Sequence, residues 1–217
     1  DVSMPCRLRK QFDFLEKHPD ISILGGQAIM MDQNGLRVGR SNKPVGHARI
    51  DEFIRYSCPV LHPTYFVRKE VYLSLNGYRN ITPGQDYDFL IRAHKNRYVI
   101  DNLPQDIIEY RINNSGNTSG NIKKTIIINN LLKYMQKKDG VKRNKVFSRI
   151  EKISHKEINT GIFFQFIYDS RNILINKYRA SAGITKLLLF SSIITLCLFN
   201  IQIAKNTVSE YLAQKLV

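Results

Sequence analysis

Cysteine is scarce in this sequence, and the few cysteines lie far apart. Cys6, Cys58 and Cys197 form no Cys-x-x-Cys pair. An odd number of distant cysteines argues against a disulfide framework or a zinc site and fits a reducing compartment. The sequence also lacks an internal repeat, a low-complexity tract and a signal segment after Asp1. Because the first residue is Asp1 and not Met, we expect a piece of a longer chain.

Acidic residues are also few, and their deficit is uneven. Lys and Arg number 33 against 18 Asp and Glu, which gives a formal net charge of +15. Residues 1–112 carry 16 basic and 13 acidic side chains, a net of +3, and residues 113–217 carry 17 and 5, a net of +12. The polar run "INNSGNTSGN" marks the change, so we expect two units, 1–112 and a basic helical region 113–217.

The basic region predicts an anionic partner. Lys and Arg beside apolar helices attract anionic lipid head groups, by about 1 kcal/mol per residue near a membrane surface. No recognised nucleic-acid motif accompanies the charge, so we expect a membrane surface and no nucleic acid. The run from Leu187 to Ala204 has no charge across 18 residues. It would reach about 27 Å as a helix, slightly short of a hydrocarbon core. We therefore favour a helix in the membrane interface or packed within the protein over a true span.

Hydrophobic spacing predicts an α/β pattern in residues 1–112. Leu8, Phe12 and Leu15 recur at helical spacing, which indicates a helix that begins near Ser3 and packs on these three residues. The stretch "ISILGGQAIMM" predicts a strand, and the following "DQNG" predicts a hairpin to "LRVGR". "RYVIDNLP" and "IIEYRI" predict two further strands.

Two carboxylates follow the Pro83-Gly84 turn in "PGQDYDFLIR". We predict a helix from about Asp86 to His94 that buries three apolar side chains, those of Phe89, Leu90 and Ala93. Asp86 and Asp88 then fall in its first turn, where the helix dipole favours an acid by about 0.3–1 kcal/mol. A carboxylate held rigidly at a helix mouth is also well placed for proton transfer. The residues alone leave both readings open.

Four stretches together, in order from Asp1 to Ser119, resemble one known family. They are "DVSMPCRLRKQFDFLEKHPDISILGG", "PVLHPTYFVRKEVYLSLNGYR", "GQDYDFLIR" and "EYRINNSGNTS". They are similar to the segment after the metal-binding Asp-x-Asp motif, the acceptor-side stretch, the catalytic-base element and the closing loop of the family 2 GT-A glycosyltransferases. Those bacterial enzymes use nucleotide-sugar donors. This chain departs from them at Gln85, where the family usually has Glu.

The resemblance implies the fold and the cofactor. We expect an α/β chain that forms the acceptor-side, C-terminal part of a GT-A nucleotide-diphospho-sugar transferase fold, followed by a mainly helical region. The nucleotide-binding half and the Asp-x-Asp motif would precede Asp1, which would adjoin the motif. The full-length enzyme would then use a divalent cation, Mg or Mn, and this fragment alone would be inactive.

The resemblance also implies a function and its residues. We expect an inverting transferase of the hexosyltransferase type that moves a sugar from a nucleotide-diphosphate donor to a polysaccharide or lipid-linked acceptor. It would serve capsule, lipopolysaccharide or exopolysaccharide synthesis at the inner face of the cell membrane. A non-catalytic basic membrane- or nucleic-acid-binding module is the alternative. Asp86 would be the catalytic base, and the substrate-binding residues would be His62, Thr64, Asp88, Arg111 and Ser119.

Overall fold

The computed structural model describes residues 1–112, 122–138 and 140–155, together with 168, 170–175, 188–189 and 191–193. Ser119 and most of the run from Leu187 to Ala204 lie outside these residues, so the expectations for them have no structural outcome. Within the described residues, no helix is both long enough and apolar enough to cross a membrane.

The elements follow one another closely from residue 2 to residue 111. In chain order the described residues form β1 (Val2–Ser3), α1 (Arg7–Lys17), β2 (Ile21–Met31), β3 (Arg37–Arg40), α2 (His47–Phe53), a 3-10 turn (His62–Thr64), β4 (Phe66–Val67), α3 (Lys69–Ser74), α4 (Gln85–Lys95), β5 (Val99–Arg111), α5 (Ile122–Gln136) and α6 (Gly140–Ser154).

The strands form one mixed sheet in the order β1-β5-β2-β3, with β4 paired to the first half of β2. The central strands β2 and β5 are parallel, and the outer strands run antiparallel to them. This α/β architecture is compatible with a glycosyltransferase fold. Ser3 lies in β1, so the predicted start of the first helix is wrong, and α1 begins four residues later at Arg7.

The predicted core face of α1 is also wrong in part. Leu15 is buried, but Leu8 and Phe12 are exposed. The buried position between them is Gln11, whose side-chain Nε2 donates to the carbonyl oxygen of Thr64 at 2.8 Å. A polar side chain is stable there because this hydrogen bond offsets its desolvation.

The two predicted strands around Pro104 are one continuous strand, β5. The register along β2 pairs Gly26 with Leu103 and then Gln27 with Asp106. Pro104 and Gln105 therefore have no partners in β2, as in a bulge. The proline interrupts the pairing without ending the strand, which the sequence pattern does not distinguish.

Helix α4 lies at the centre of the larger core. Phe89, Leu90 and Ala93 are fully buried, so the predicted buried face of this helix is confirmed. Side chains from the second half of the sequence enter the same core: Ile128, Leu132 and Met135 of α5 and Ile150 of α6. Helices α4, α5 and α6 thus share one hydrophobic cluster with the apolar side chains around β2 and β5.

Candidate functional site

A tight turn places the acidic pair at the start of α4. Gly84, the residue before the helix, has φ +99°, a conformation that side chains with a Cβ rarely adopt. A Cβ atom on Gly84 would lie 3.2 Å from side-chain atoms of Ile128 and Leu132. Helix α5 therefore packs directly against the turn, and glycine is required there both by the backbone and by the close approach.

Asp88 is a buried structural carboxylate. Its side chain is fully buried, and both of its oxygens accept hydrogen bonds. Arg79 Nε donates to Oδ2 at 2.9 Å, Arg79 Nη2 donates to Oδ1, and Arg92 Nε donates to Oδ2 at 3.0 Å. A buried carboxylate with two arginine partners is already engaged by the protein. Asp88, expected among the substrate-binding residues, thus orients two arginines.

The two arginines extend this network into the preceding loop. Arg92 Nη2 donates to the carbonyl oxygen of Gly77 at 2.6 Å. The Arg79 guanidinium lies over the ring of Phe147 in α6, 3.6 Å from its centroid. Asp88 therefore fixes the loop that carries Tyr78, the residue between these anchors.

Asp86 differs from Asp88 in its burial and in the partners of its carboxylate. It is half-buried, and no described residue forms an ion pair or a hydrogen bond with its carboxylate. Only its backbone carbonyl oxygen is bound, by the hydroxyl of Tyr65 at 3.4 Å. The sequence places two acids two positions apart, and the structure gives one of them two arginines and leaves the other carboxylate available.

Four side chains lie close enough to interact electrostatically with this carboxylate, and His62 contacts two of them. Together they form what we call the Asp86 cluster: Lys43, Cys58, His62, Tyr65, Tyr78 and Asp86. They come from loops and short elements that β2 and β5 hold in place. Buried Gln27 of β2 accepts from the backbone N–H of Lys43 at 2.9 Å and donates to its carbonyl oxygen at 3.0 Å. Buried Asn102 of β5 donates to the carbonyl oxygens of Pro44 at 2.8 Å and Pro59 at 3.0 Å.

Lys43 supplies the positive charge of the cluster. Its Nζ donates to the carbonyl oxygen of Cys58 at 2.8 Å. Burial lowers the pKa of Lys43, and the nearby Cys58 and Asp86 oppose this shift.

The thiol and the phenols of the cluster keep their protons. Burial, followed by the charge of Asp86, raises the pKa of Cys58 to about 12 and the pKa of Tyr78 to about 12. Burial, Cys58 and Asp86 also raise the pKa of Tyr65 well above its ordinary value. These three groups therefore act as hydrogen-bond donors at neutral pH, and none of them is a base.

The structure brings His62 into the same cluster. His62 is exposed, its Nε2 lies 3.1 Å from the Tyr78 hydroxyl, and its ring stands edge-on to Tyr65 with 5.1 Å between centroids. Through these two tyrosines His62 and Asp86 lie on one surface. The expectation that both face a substrate is compatible with this arrangement and stays a prediction.

Two other expected substrate contacts, Thr64 and Arg111, form hydrogen bonds within the fold. Thr64 is buried, and its hydroxyl donates to the carbonyl oxygen of Leu61 at 2.7 Å. Arg111, at the end of β5, donates from its guanidinium to the carbonyl oxygen of Asp32 at 3.3 Å, and its backbone N–H donates to Asp1 Oδ1 at 2.8 Å. Thr64 is thus engaged in the fold, and Arg111 lies beside the β2–β3 turn.

The described residues do not fit a divalent cation. In that part of the chain, no group of three or more His, Cys, Asp and Glu side chains could hold a metal ion. Asp1, expected beside the metal-binding motif, is exposed and binds the backbone of Arg111.

Known proteins similar to this chain are named glycosyltransferases. An uncharacterized glycosyltransferase of Methanocaldococcus jannaschii is 31% identical over 126 residues, which cover 57% of this chain and 43% of that protein. An uncharacterized glycosyltransferase of Haemophilus influenzae is 30% identical over 115 residues, 52% of this chain and 42% of its own. The amylovoran biosynthesis glycosyltransferase AmsE of Erwinia amylovora is 26% identical over 111 residues, 51% of this chain and 41% of its own.

These similarities define a class of protein. They support a glycosyltransferase family for the chain, which spans about two fifths of the length of the curated relatives it matches. No family model matches the sequence, and no solved structure matches the fold.

Sequence reasoning missed four members of the Asp86 cluster. Tyr65 and Tyr78 lie within the quoted stretch "PVLHPTYFVRKEVYLSLNGYR". The signal that could have identified them is that they are aromatic residues near His62 in the sequence. Lys43 and Cys58 carry no local signal, because long-range hydrogen bonds from β2 and β5 bring their loops together.

Proposed function

We propose that this chain is the acceptor-side part of a family 2 GT-A glycosyltransferase that acts in the synthesis of a bacterial surface polysaccharide. The observation that carries the proposal is its similarity to proteins named glycosyltransferases, one of which is named for amylovoran biosynthesis. The available carboxylate of Asp86, inside a cluster of proton-holding side chains, supports the assignment of the catalytic residue.

The proposed reaction is an inverting sugar transfer. An acceptor hydroxyl forms a bond to the anomeric carbon as the bond to the nucleoside diphosphate breaks on the opposite face. Asp86 accepts the hydroxyl proton during this step, because an alcohol is a poor nucleophile until a base removes its proton. A positioned base contributes roughly 10²–10⁴ in rate.

The neighbours of Asp86 support this role. Lys43 places an amino group near the carboxylate. The hydroxyls of Tyr65 and Tyr78 and the ring of His62 are suited to hydrogen-bond the other hydroxyls of the acceptor. Asp88 acts through Arg79 and Arg92, which fix the loop beside the acceptor, and does not contact substrate.

The remaining expectations belong to the complete enzyme. The proposal includes a nucleotide-diphosphate sugar as donor, a saccharide or lipid-linked acceptor, Mg or Mn as cofactor and peripheral attachment to the inner face of the membrane. Arg111 and Ser119 remain candidates for contact with the donor phosphates, because guanidinium and hydroxyl groups bind phosphate oxygens well.

Asp86→Asn tests the central assignment. In the full-length protein we expect kcat to fall by roughly 10²–10⁴ with the fold intact, because Asn cannot accept the proton. Turnover is measured as nucleoside diphosphate released from a panel of nucleotide sugars, and circular dichroism reports the fold. Asp20→Asn is the matched control, since it makes the same chemical change at an exposed carboxylate elsewhere and should leave kcat unchanged. Undiminished turnover in Asp86→Asn would remove this residue from the mechanism.

The same assay separates the proposal from its alternative. A non-catalytic basic module would associate with anionic vesicles or nucleic acid in a salt-sensitive manner and would transfer no sugar. Absence of turnover in the wild-type full-length protein, with every nucleotide sugar of the panel and with salt-sensitive binding present, would favour that module.

A further inference from the structure

A concave site lies at the opposite end of α4 from Asp86. It is an open cavity of about 600 Å³, which we call the basic cleft. Most of its lining is basic: His47, Asp51, Arg55, His94, Lys95, Arg97, Tyr98, Lys133, Gln136 and Lys137.

Three helix ends build the basic cleft. Helix α2 contributes residues from its first and second turns and one residue two positions beyond its end. Helices α4 and α5 each contribute their last turn and residues that follow it. Lys and Arg are favoured at helix C-termini by about 0.3–1 kcal/mol, which explains part of the charge. Arg55 and Arg97 lie beyond their helices, where this effect is weak.

Among the described residues of the lining, Asp51 provides the one carboxylate. Asp51 Oδ1 lies 3.1 Å from His94 Nε2 and 3.6 Å from His47 Nε2, and it has no hydrogen-bond partner among the described residues. Five Lys and Arg side chains share the cavity with it. Arg55, Arg97 and Lys137 are exposed, and none of them forms an ion pair with a carboxylate of the described residues. Like charges gathered around one cavity repel each other, and a bound anion would relieve that repulsion.

We propose that the basic cleft binds the phosphate or diphosphate group of an anionic ligand. Its volume falls in the range of about 300–1,000 Å³ that is usual for small-molecule sites. Arginine pairs with phosphate oxygens through two parallel N–H groups, and lysine adds point charge at the rim. The ligand is either a lipid phosphate head group or a soluble phosphorylated compound. This site stands apart from the proposed transfer at Asp86 and does not depend on it.

A paired-variant experiment tests the proposal on the full chain. Arg55→Gln/Lys137→Gln removes two charges from the basic cleft, and Lys10→Gln/Lys17→Gln removes two exposed charges from α1 as the matched control. Binding of inorganic pyrophosphate is measured by calorimetry. Binding to vesicles of phosphatidylglycerol and of phosphatidylcholine is measured by sedimentation, and circular dichroism verifies the fold.

We expect pyrophosphate binding to weaken about tenfold or more in the cleft variant and to stay unchanged in the control, because phosphate contacts are charge-assisted. If phosphatidylglycerol binding falls in parallel and pyrophosphate displaces the wild-type chain from those vesicles, the source is a lipid head group. If vesicle binding is unchanged, the source is a soluble phosphate compound. Equal pyrophosphate binding in both variants, equal weakening in both, or no measurable pyrophosphate binding to the wild-type chain would overturn the proposal.

Discussion

The two acids behind the Pro83-Gly84 turn show how far neighbouring residues of one type can diverge. Asp88 points into the core and is paired with Arg79 and Arg92. Asp86 is half-buried, and no described side chain binds its carboxylate. On a helix, residues two positions apart face different directions. One acid therefore stabilises the fold, and the carboxylate of the other has no partner among the described residues.

Asp88→Asn is expected to be the more damaging of the two matched substitutions for stability. Removal of the buried negative charge leaves two arginines without their shared partner, which costs about 3–5 kcal/mol of unfolding free energy. Urea unfolding followed by circular dichroism measures the loss. Asp86→Asn is the control and should change stability by less than about 1 kcal/mol, since no ion pair is lost. Similar stabilities for the two variants would contradict a structural role for Asp88.

Cys58 predicts a loss of stability in alkali. Its pKa rises from 9.0 to about 12 on folding, so between these values the unfolded thiol releases its proton while the folded one keeps it. The contribution of the Cys58 thiol to stability is therefore fully present below pH 9.0 and is lost as the pH rises toward 12. Between about pH 8 and about pH 10.5, we expect the unfolding free energy of Cys58→Ser to fall by about 1–2 kcal/mol less than that of the wild type. Parallel pH profiles for the two proteins in urea unfolding would contradict this.

At the scale of the element, sequence patterns succeeded where local rules decide the outcome. The bounds and buried face of α4 follow from a glycine turn and helical spacing. The face of α1 does not, because the buried Gln11 depends on a carbonyl group 53 residues away. The continuity of β5 does not either, because a bulge beside Gly26 absorbs Pro104. Patterns in one stretch cannot reveal partners that another stretch supplies.

Gly84→Ala tests the turn before α4. The positive φ and the contacts with Ile128 and Leu132 should together cost about 1–3 kcal/mol of unfolding free energy. Gly39→Ala is the control, since nothing lies within 4 Å of its added Cβ and it sits on the exposed strand β3. Chemical unfolding compares the two. A loss at Gly84 no larger than at Gly39 would show that the turn tolerates a side chain.

At the scale of the whole molecule, the change in charge along the sequence does not coincide with an edge of the hydrophobic core. The charge change near residue 112 predicts two units, and that division stays a prediction. Within the described residues, buried Ile128, Leu132 and Ile150 share a core with α4. The shared core could not be predicted from the sequence, because an apolar stripe shows that a helix face is buried but not which surface it packs against. The basic cleft could not be predicted either, because its residues come from three helices that are distant from one another in the sequence.

Truncation tests this shared core. A fragment of residues 1–112 should fail to unfold cooperatively, because it exposes the α4 surface that α5 covers and each fully buried aliphatic side chain contributes about 1.5–3 kcal/mol. A fragment of residues 1–155 keeps α5 and α6 and should unfold cooperatively. Thermal unfolding by circular dichroism compares them. A cooperative transition in the shorter fragment at the temperature of the longer one would show that residues 1–112 fold alone.

The contact between α5 and the Gly84 turn has a consequence for evolution and engineering. Two paralogues recombined at the compositional junction would inherit a turn from one parent and its packing partner from the other. Such a chimera would need matched residues at 84, 128 and 132 to position Asp86. If the proposed function holds, acceptor specificity is expected to be inherited, and transplanted, as a block that extends past that junction into the helices.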